Sequence, residues 1–587
     1  MDIQAIACQI AKLRFFISLA IEQDYDPDNE DNFGIRPLPN LETRFVAADA
    51  LLGFERAHGL GSDSESVRGL KRSLQINREQ HFHANTRPDK LACMKEDRRL
   101  RAELVGELRD LPENTAEKVA SWDPYDQNAV ANWFDPTWMF GIESGFDVVL
   151  GNPPYVQLQK NGGRLRKLYE NRGYETLVPR GDLYQLFLER GCQLLRPESG
   201  ILTYITSNSW LRAKYGETTR RWLSSRHRPL RLLDMGKDVF DAVVDACVLV
   251  LPAGGVEAGA SAPPFPAADT DQLSAEPFPP PEEKWRSVRP QSDRPWSILT
   301  EVEWSVMEKM RAEARPLRNW DLKISYGVKT GLNEAFIIDT ATRDALVAED
   351  PASTEILKPI LRGKDVRRWR GQWAGLWLIV AEFGSHEFLE DRYPAVYRHL
   401  AAYEKKLKAR GQCTNPPSGR RQGQAYDGQH HWLELNNNPS DDFIRSFAAP
   451  KLMWMDMSPH GRFAYSDREV YCGDTVYVMP GASQSLKSMC SVLNSSLVNW
   501  YVHATARTTG MGLIRWQKFV VETIPIPRIP DDLQETLVHV ADHILAIKGD
   551  DPDGDVSAEE ARIDRLVYDL YGLTADERAA IEESTGA

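Results

Sequence analysis

FDVVLGNPPYVQ, residues 146–157, holds a strand and a turn in twelve residues. Val148, Val149 and Leu150 are apolar and mostly β-branched, and they predict a buried parallel strand. Gly151 ends it. Asn152-Pro153-Pro154 then forces a rigid turn at the strand's carboxyl end, because proline fixes φ. In open α/β sheets that edge is where ligands bind.

The turn suits one chemical task. The exocyclic amine of adenine is a poor nucleophile, since its lone pair is conjugated into the ring. Two acceptors on its hydrogens draw the nitrogen toward a tetrahedral shape and release the lone pair. The side-chain oxygen of Asn152 supplies one acceptor and the backbone carbonyl of Pro153 the other. Tyr155 adds an aromatic face on which a base can stack, worth roughly 1–3 kcal/mol. Reaching N6 inside a duplex requires the base to be flipped out, at a cost of a few kcal/mol. A sulfonium methyl donor is already activated, so no metal is expected.

Working outward, residues 1–251 alternate short apolar runs with helical stretches, the pattern of an α/β parallel sheet. The strand candidates are 45–48, 146–151, 201–206, 230–235 and 246–251; the helix candidates are 3–22, 182–196 and 214–225. Residues 56–130 are polar and rich in Arg, Glu and Leu, and read as a helical insertion. Residues 252–296 are rich in Pro, Ala, Gly and Glu and read as a linker. Residues 297–545 carry many Trp, Tyr and Arg with Gly and Pro punctuation, which predicts a second domain of short strands and loops. The remainder, 546–587, reads as an acidic helical tail.

With 587 residues, 42% hydrophobic and 27% charged, the chain has the composition of a globular protein of two or three domains. No apolar run is long enough for a transmembrane helix. The start, 1–23, is interrupted by Gln9, Lys12 and Arg14 and reads as an amphipathic helix with Ile6, Ile10, Leu13 and Ile17 on one face, not as a signal peptide. Seven cysteines without a CxxC pair argue against disulfides and zinc and for the cytoplasm. The formal net charge of −14 opposes nucleic-acid binding only if the binding face shares it. Two basic clusters do not: Arg362, Lys364, Arg367, Arg368 and Arg370, and Lys405, Lys406, Lys408, Arg410, Arg420 and Arg421.

The chain resembles the γ-class DNA adenine-N6 methyltransferases, specifically the methyltransferase and specificity parts of type IIG restriction–modification enzymes. The likeness is carried by FDPTWMFGIESGFDVVLGNPPYVQ (134–157), by 181–223 and by VFDAVVDACVLVLP (239–252). It implies a Rossmann-like S-adenosylmethionine-dependent methyltransferase sheet with Asn152, Pro153, Pro154 and Tyr155 as the catalytic tetrapeptide. Phe240 matches a second aromatic that packs on the flipped base; a core Phe is the alternative. SYGVKTGLNEAFIID (325–339), 357–369 and 490–506 resemble a mixed α+β target-recognition domain. That implies double-stranded DNA as partner, with Lys329, Arg362, Lys364, Arg367 and Arg368 as contact candidates.

The resemblance also assigns cofactor residues. Asp2 matches the acid that binds the ribose hydroxyls of S-adenosyl-L-methionine. Asp49 in RFVAADALLG (44–53) matches the acid that accepts from the adenine amine; a helix N-cap is the alternative. The family's strand and glycine-rich turn precede that first acid, and only Met1 does here; GLGSD (59–63) follows a helical stretch instead. The sheet is therefore expected to be incomplete at its N-terminus. The chain reads as a fragment of a larger gene, as a late start, or as a product completed by an upstream polypeptide. Glu282-Glu283-Lys284 lies in the Pro-rich segment and does not read as a nuclease site. Three functions stay open: methyl transfer to adenine in DNA, DNA binding by a fragment that cannot hold cofactor alone, and methylation of a protein glutamine. The large second domain opposes the last.

Overall fold

Six strands form the sheet that carries residues 146–157: Val148–Gly151 (β1), Ile201–Ser207 (β2), Arg231–Gly236 (β3), Ala246–Pro252 (β4), Phe265–Asp269 (β5) and Arg286–Val288 (β6). Their spatial order is β1-β2-β4-β3-β5-β6. The expected all-parallel sheet is instead mixed. β1 runs parallel to β2, and β4 runs antiparallel to both β2 and β3. The reason is loop length: Gly236 and Ala246 flank a connection too short for a crossover helix, so β3 and β4 form a hairpin. The carboxyl ends of β1, β2 and β3 and the tip of that hairpin consequently share one edge of the sheet.

This computed structural model describes residues 1–30, 32–53, 64–108, 115–236, 239–240, 244–256, 260–269, 285–312, 314–414, 429–436, 441–506 and 513–586. The chain divides into two compact units, Met1–Trp296 and Ser297–Ala587. The segment 252–296, expected as a linker, contributes β5 and β6 to the first unit. Its alanines made it look unstructured, yet Ala267 and Ala268 are fully buried where β5 pairs with β3. Glu282-Glu283-Lys284 and GLGSD (59–63) lie outside the described residues.

Helices Ala5–Ile21 (α1), Glu65–His83 (α2) and Arg87–Glu107 (α3) precede the sheet, and α2 and α3 form most of the expected insertion. Asp97, fully buried, receives Arg78 Nε at 2.8 Å and Arg101 Nε at 2.7 Å and so ties α2 to α3. Residues 45–48, expected as a strand, make only isolated bridges, Asp2 with Ala47 and Ala48 with Ala131. One paired residue on each side is too little for a ladder.

β1 is not the buried strand expected. It pairs on one side only among the described residues, and Val148 is 56% and Leu150 73% exposed. The apolar face of α1 also looks outward, with Ile6, Ile10, Leu13 and Ile17 all exposed. No described helix is long and apolar enough to cross a membrane.

The second unit holds two four-stranded sheets and a helical bundle. The strands of the two sheets are Ser325–Tyr326 (β7), Ile337–Asp339 (β8), Leu357–Leu361 (β9), Leu376–Ile379 (β10), Lys451–Met455 (β11), Ala464–Ser466 (β12), Tyr471–Cys472 (β13) and Val476–Pro480 (β14). They are ordered β13-β9-β10-β8 and β12-β11-β14-β7. Helices Glu301–Ala312 (α4), Ser483–Asn494 (α5), Ser496–Thr505 (α6), Asp531–Asp550 (α7), Ser557–Leu570 (α8) and Ala575–Thr585 (α9) pack around Trp304, Trp454 and Trp500. The expected tail, 546–587, is part of that core. Its helices bury Ile563, Val567, Tyr568 and Ile581 in the same cluster. Apolar residues at helical spacing, not net acidity, set its place.

Candidate active site

The turn after β1 is shaped by its neighbours. A Cβ on Gly151 would lie 2.8 Å from the ring of Tyr204, so only glycine lets β1 approach β2 there. Pro153 is buried, while Asn152 and Pro154 are exposed. Beyond Tyr155 the chain is clamped by backbone bonds, Leu183 N to Val156 O at 2.9 Å and Leu158 N to Gly181 O at 3.0 Å. Those bonds come from the start of the helix Leu183–Gln193, which Asp182 and Gln185 close with a capping box. Gln185 also donates to Thr219 Oγ1 at 2.5 Å. The acidic and amide residues of GDLYQ are thus the fixings that hold the turn.

Tyr155 stands between two rings. It meets Tyr184 edge-on at 6.1 Å and Phe240 at 6.1 Å, with interplanar angles of 88° and 69°. Its hydroxyl donates to Ile205 O at 3.4 Å, and burial pushes its pKa up to about 12, so it is a neutral phenol at physiological pH. Phe240 reaches Tyr155 from the β3–β4 hairpin. Asn152, Pro153, Pro154, Tyr155 and Phe240 therefore gather at one edge of the sheet. Sequence reading missed Tyr184. It is fully buried and supports Tyr155 from below, and its place on the clamping helix is the signal.

Asp2 and Asp49 lie on neighbouring segments. Asp2 is exposed, its backbone pairs with Val46 and Ala48, and its Oδ1 accepts Gln4 N at 2.8 Å. Asp49 is buried; its Oδ1 accepts Leu51 N at 3.0 Å and its Oδ2 accepts the Tyr169 hydroxyl at 3.0 Å. Burial raises its pKa, and the two hydrogen bonds offset part of that rise. Asp49 lines a cavity of about 410 Å³ whose walls include Ile3, Leu52, Val130 and Leu168. A buried carboxylate acceptor beside apolar walls suits an adenine ring with its amine, and Lys118, Asn132 and Arg172 also line the cavity. Each carboxylate oxygen keeps a second lone pair for such an amine. The helix between Asn152 and Asp182 links the two groups: its last residue, Tyr169, bonds Asp49, and Leu158 packs with Leu51. Among the described residues no group of His, Cys, Asp or Glu is placed to hold a metal ion.

In the C-terminal unit the cationic candidates separate. Arg362, Lys364 and Arg367 line one cavity of about 420 Å³. Arg368 does not join them: its guanidinium donates to Asn494 O at 2.8 Å and lies 2.7 Å from Glu560. Its neighbour Trp369 has φ +74° and is buried, which turns Arg368 inward. Lys329 stands elsewhere, 4.7 Å over the ring of Tyr326. The second basic cluster is mostly spent within the fold. Arg410 is buried against the carbonyls of Thr330, Trp432 and Glu434, and Lys406 and Lys408 pair with Glu334 and Glu404. Arg420 and Arg421 lie outside the described residues.

Residues 1–240 match the family model described as Eco57I restriction-modification methylase, and residues 358–526 match the TaqI-like C-terminal specificity domain. The chain thus carries a stretch similar to the Eco57I methylases ahead of one similar to the TaqI-type specificity domains. Among similar proteins is the type II methyltransferase M.PaeR7I of Pseudomonas aeruginosa, 25% identical over 75% of this chain and 73% of that one. Another is M.XhoI of Xanthomonas vasicola, 23% identical over 77% of this chain and 80% of that one. The fold is shared with the type IIL restriction–modification enzyme MmeI, solved in complex with DNA. The TM-score is 0.52 at 11% identity, covering 89% of this chain and 78% of that one. The stretch matched by the Eco57I model contains the tetrapeptide, Phe240, Asp2 and Asp49.

Proposed function

We propose that this Eco57I-type methylase transfers a methyl group from S-adenosylmethionine to N6 of an adenine flipped out of double-stranded DNA. The observation that carries this reading is the grouping of Tyr155 and Phe240, 6.1 Å apart, beside the exposed Asn152. When bound, S-adenosylmethionine supplies an electrophilic methyl on a sulfonium leaving group. Asn152 accepts one hydrogen of the adenine amine through its carboxamide oxygen, and the Pro153 carbonyl accepts the other. As the new N–C bond forms, the amine proton is held by these two acceptors before passing to water. Tyr155 and Phe240 offer the base aromatic surface to pack against, which offsets the stacking given up on flipping. Asp49 holds the adenine end of the cofactor, and Asp2 its ribose. The C-terminal unit binds the duplex and reads its sequence.

Asn152→Ala tests the reading. A pre-organised polar group at a reacting centre is worth about a hundred- to a thousandfold in kcat. We expect methyl transfer to fall by that factor while duplex binding stays within twofold. Methylation at the parental rate would overturn the assignment.

A second reading rests on the edge of β1 that pairs with no strand among the described residues. Val148 and Leu150 on it are apolar and exposed. In this reading a strand from another polypeptide pairs with β1, and residues 1–587 bind cofactor weakly without it. Titration calorimetry with S-adenosylmethionine separates the two. Tight binding by this chain alone removes the second reading.

A further inference from the structure

The cavity of about 420 Å³ in the C-terminal unit is lined by Arg362, Lys364, Arg367, Arg462 and Met455. Arg462 lies far outside the basic run 362–370, and no sequence pattern points to it. Four cations face this space in a chain whose formal net charge is −14. A single carboxylate, Asp365, accompanies them, and Arg362 already holds it in a fork, Nε to Oδ2 at 2.8 Å and Nη2 to Oδ1 at 3.0 Å. Lys364, Arg367 and Arg462 have no ion-pair partner among the described residues.

The mounting is rigid on both sides. Arg362 N donates to Asp365 Oδ2 at 2.9 Å, closing a one-turn cap. Arg367 sits in a tight hairpin, its N–H on Arg370 O at 3.1 Å and its neighbours Val366 and Gly371 bridged. Arg462 is bracketed by two buried amides: Asn499 Oδ1 accepts Gly461 N at 2.6 Å, and Asn494 Oδ1 accepts Phe463 N at 3.0 Å. Converging cations on fixed backbone fit a compact anion better than a base edge. A base edge needs one guanidinium extended into a groove, not several turned into a concavity.

We infer that this cavity seats one backbone phosphate of the DNA duplex, with Arg367 and Arg462 as its contacts and Lys364 at its rim. The inference rests on the DNA reading above and assigns this site to positioning rather than to sequence readout.

The test is duplex binding by the full chain, followed by fluorescence anisotropy across a salt series with several unrelated 20-base-pair sequences. Removing one cation from a phosphate lowers the slope of log K against log salt by about 0.9, which is about eightfold in affinity at 0.1 M salt. Arg367→Gln and Arg462→Gln should each show that reduction, equally on every sequence. Arg462→Lys should restore the slope, because a phosphate accepts a point charge where a guanine edge demands the fork. Arg445→Gln, an exposed cation elsewhere in the unit, should change nothing. An altered sequence preference at unchanged slope, or no effect of either Gln variant while the parent binds, overturns the phosphate site and leaves the DNA reading standing. Failure of the parent chain to bind any duplex at low salt overturns both.

Discussion

Asp49 carries two burdens at one residue. Its carboxylate is buried, which raises its pKa, and it has both oxygens engaged by Leu51 and Tyr169. A carboxylate whose folded pKa is raised is stabilising only below the ordinary carboxylate range, and that stability is lost as pH rises through the folded value. Asp49→Asn should therefore match the parent in acid and exceed it in melting temperature at neutral pH, as thermal unfolding across pH would register. The same variant should bind S-adenosylmethionine about ten- to a hundredfold more weakly, since a charged acceptor is worth about 1.5–3 kcal/mol. Equal affinity for parent and variant would remove Asp49 from the cofactor site. The choice between ligand and helix cap is open in the sequence because both need an acid after a strand. The structure adds Tyr169, 120 residues away, as its partner. Contacts of that separation leave no local pattern, which is also why Arg462 escapes a reading of the sequence. Asn152 to Tyr155 is legible because proline and glycine act on the backbone within a few residues.

Among the elements, β1 departs most from what its composition suggests. Three consecutive apolar residues read as a strand covered on both faces, yet alternate side chains of β1 face solvent beside an edge that pairs with no strand among the described residues. Such an edge is a template for another strand. We expect the purified chain to self-associate through it, and Leu150→Lys to lower the associated fraction in light scattering at unchanged melting temperature. A monomeric parent at high concentration would contradict this. The helix Leu183–Gln193, by contrast, is legible to within three residues. Its cap and its apolar face are local, and 182–196 contains both. The pairing of β4 between β2 and β3 is hidden, because the direction of a strand depends on its connection and not on its own residues. β5 is hidden for another reason: alanine and proline mark it as a breaker region, and only its partners make it a strand.

At the scale of the whole molecule, the C-terminal unit is closed by its own ends. Glu577 on the last helix accepts Ser305 Oγ and Lys309 Nζ, each at 2.7 Å, from the first helix of that unit. Burial alone would raise its pKa, but the bonds from Lys309, the Thr574 backbone and Ser305 bring it down to about 2. A lowered carboxylate contributes stability above its ordinary value of 4.5 and loses it as pH falls toward the folded value. Glu577→Gln should thus cost the unit about 1–3 kcal/mol near neutrality. The difference from the parent should vanish as pH drops through that window, which calorimetry of the full chain can follow. An equal deficit at every pH would mean that packing, not charge, holds the closure. Composition divides this region at residue 545, since acidity and helical pattern change there. The buried Tyr568 and Ile581 show that the core ignores that division. The left-handed Trp369 gives this a practical side. Its indole donates to Glu560 at 2.6 Å, so the hairpin bearing Arg367 is braced by a helix almost two hundred residues downstream. Anyone grafting this recognition module onto a new methylase would have to carry Ser297–Ala587 as one cassette. A donor piece trimmed at 545 would arrive with the Arg367 hairpin unbraced, and specificity swaps designed on the shorter boundary would fail for reasons unrelated to the bases they were meant to read.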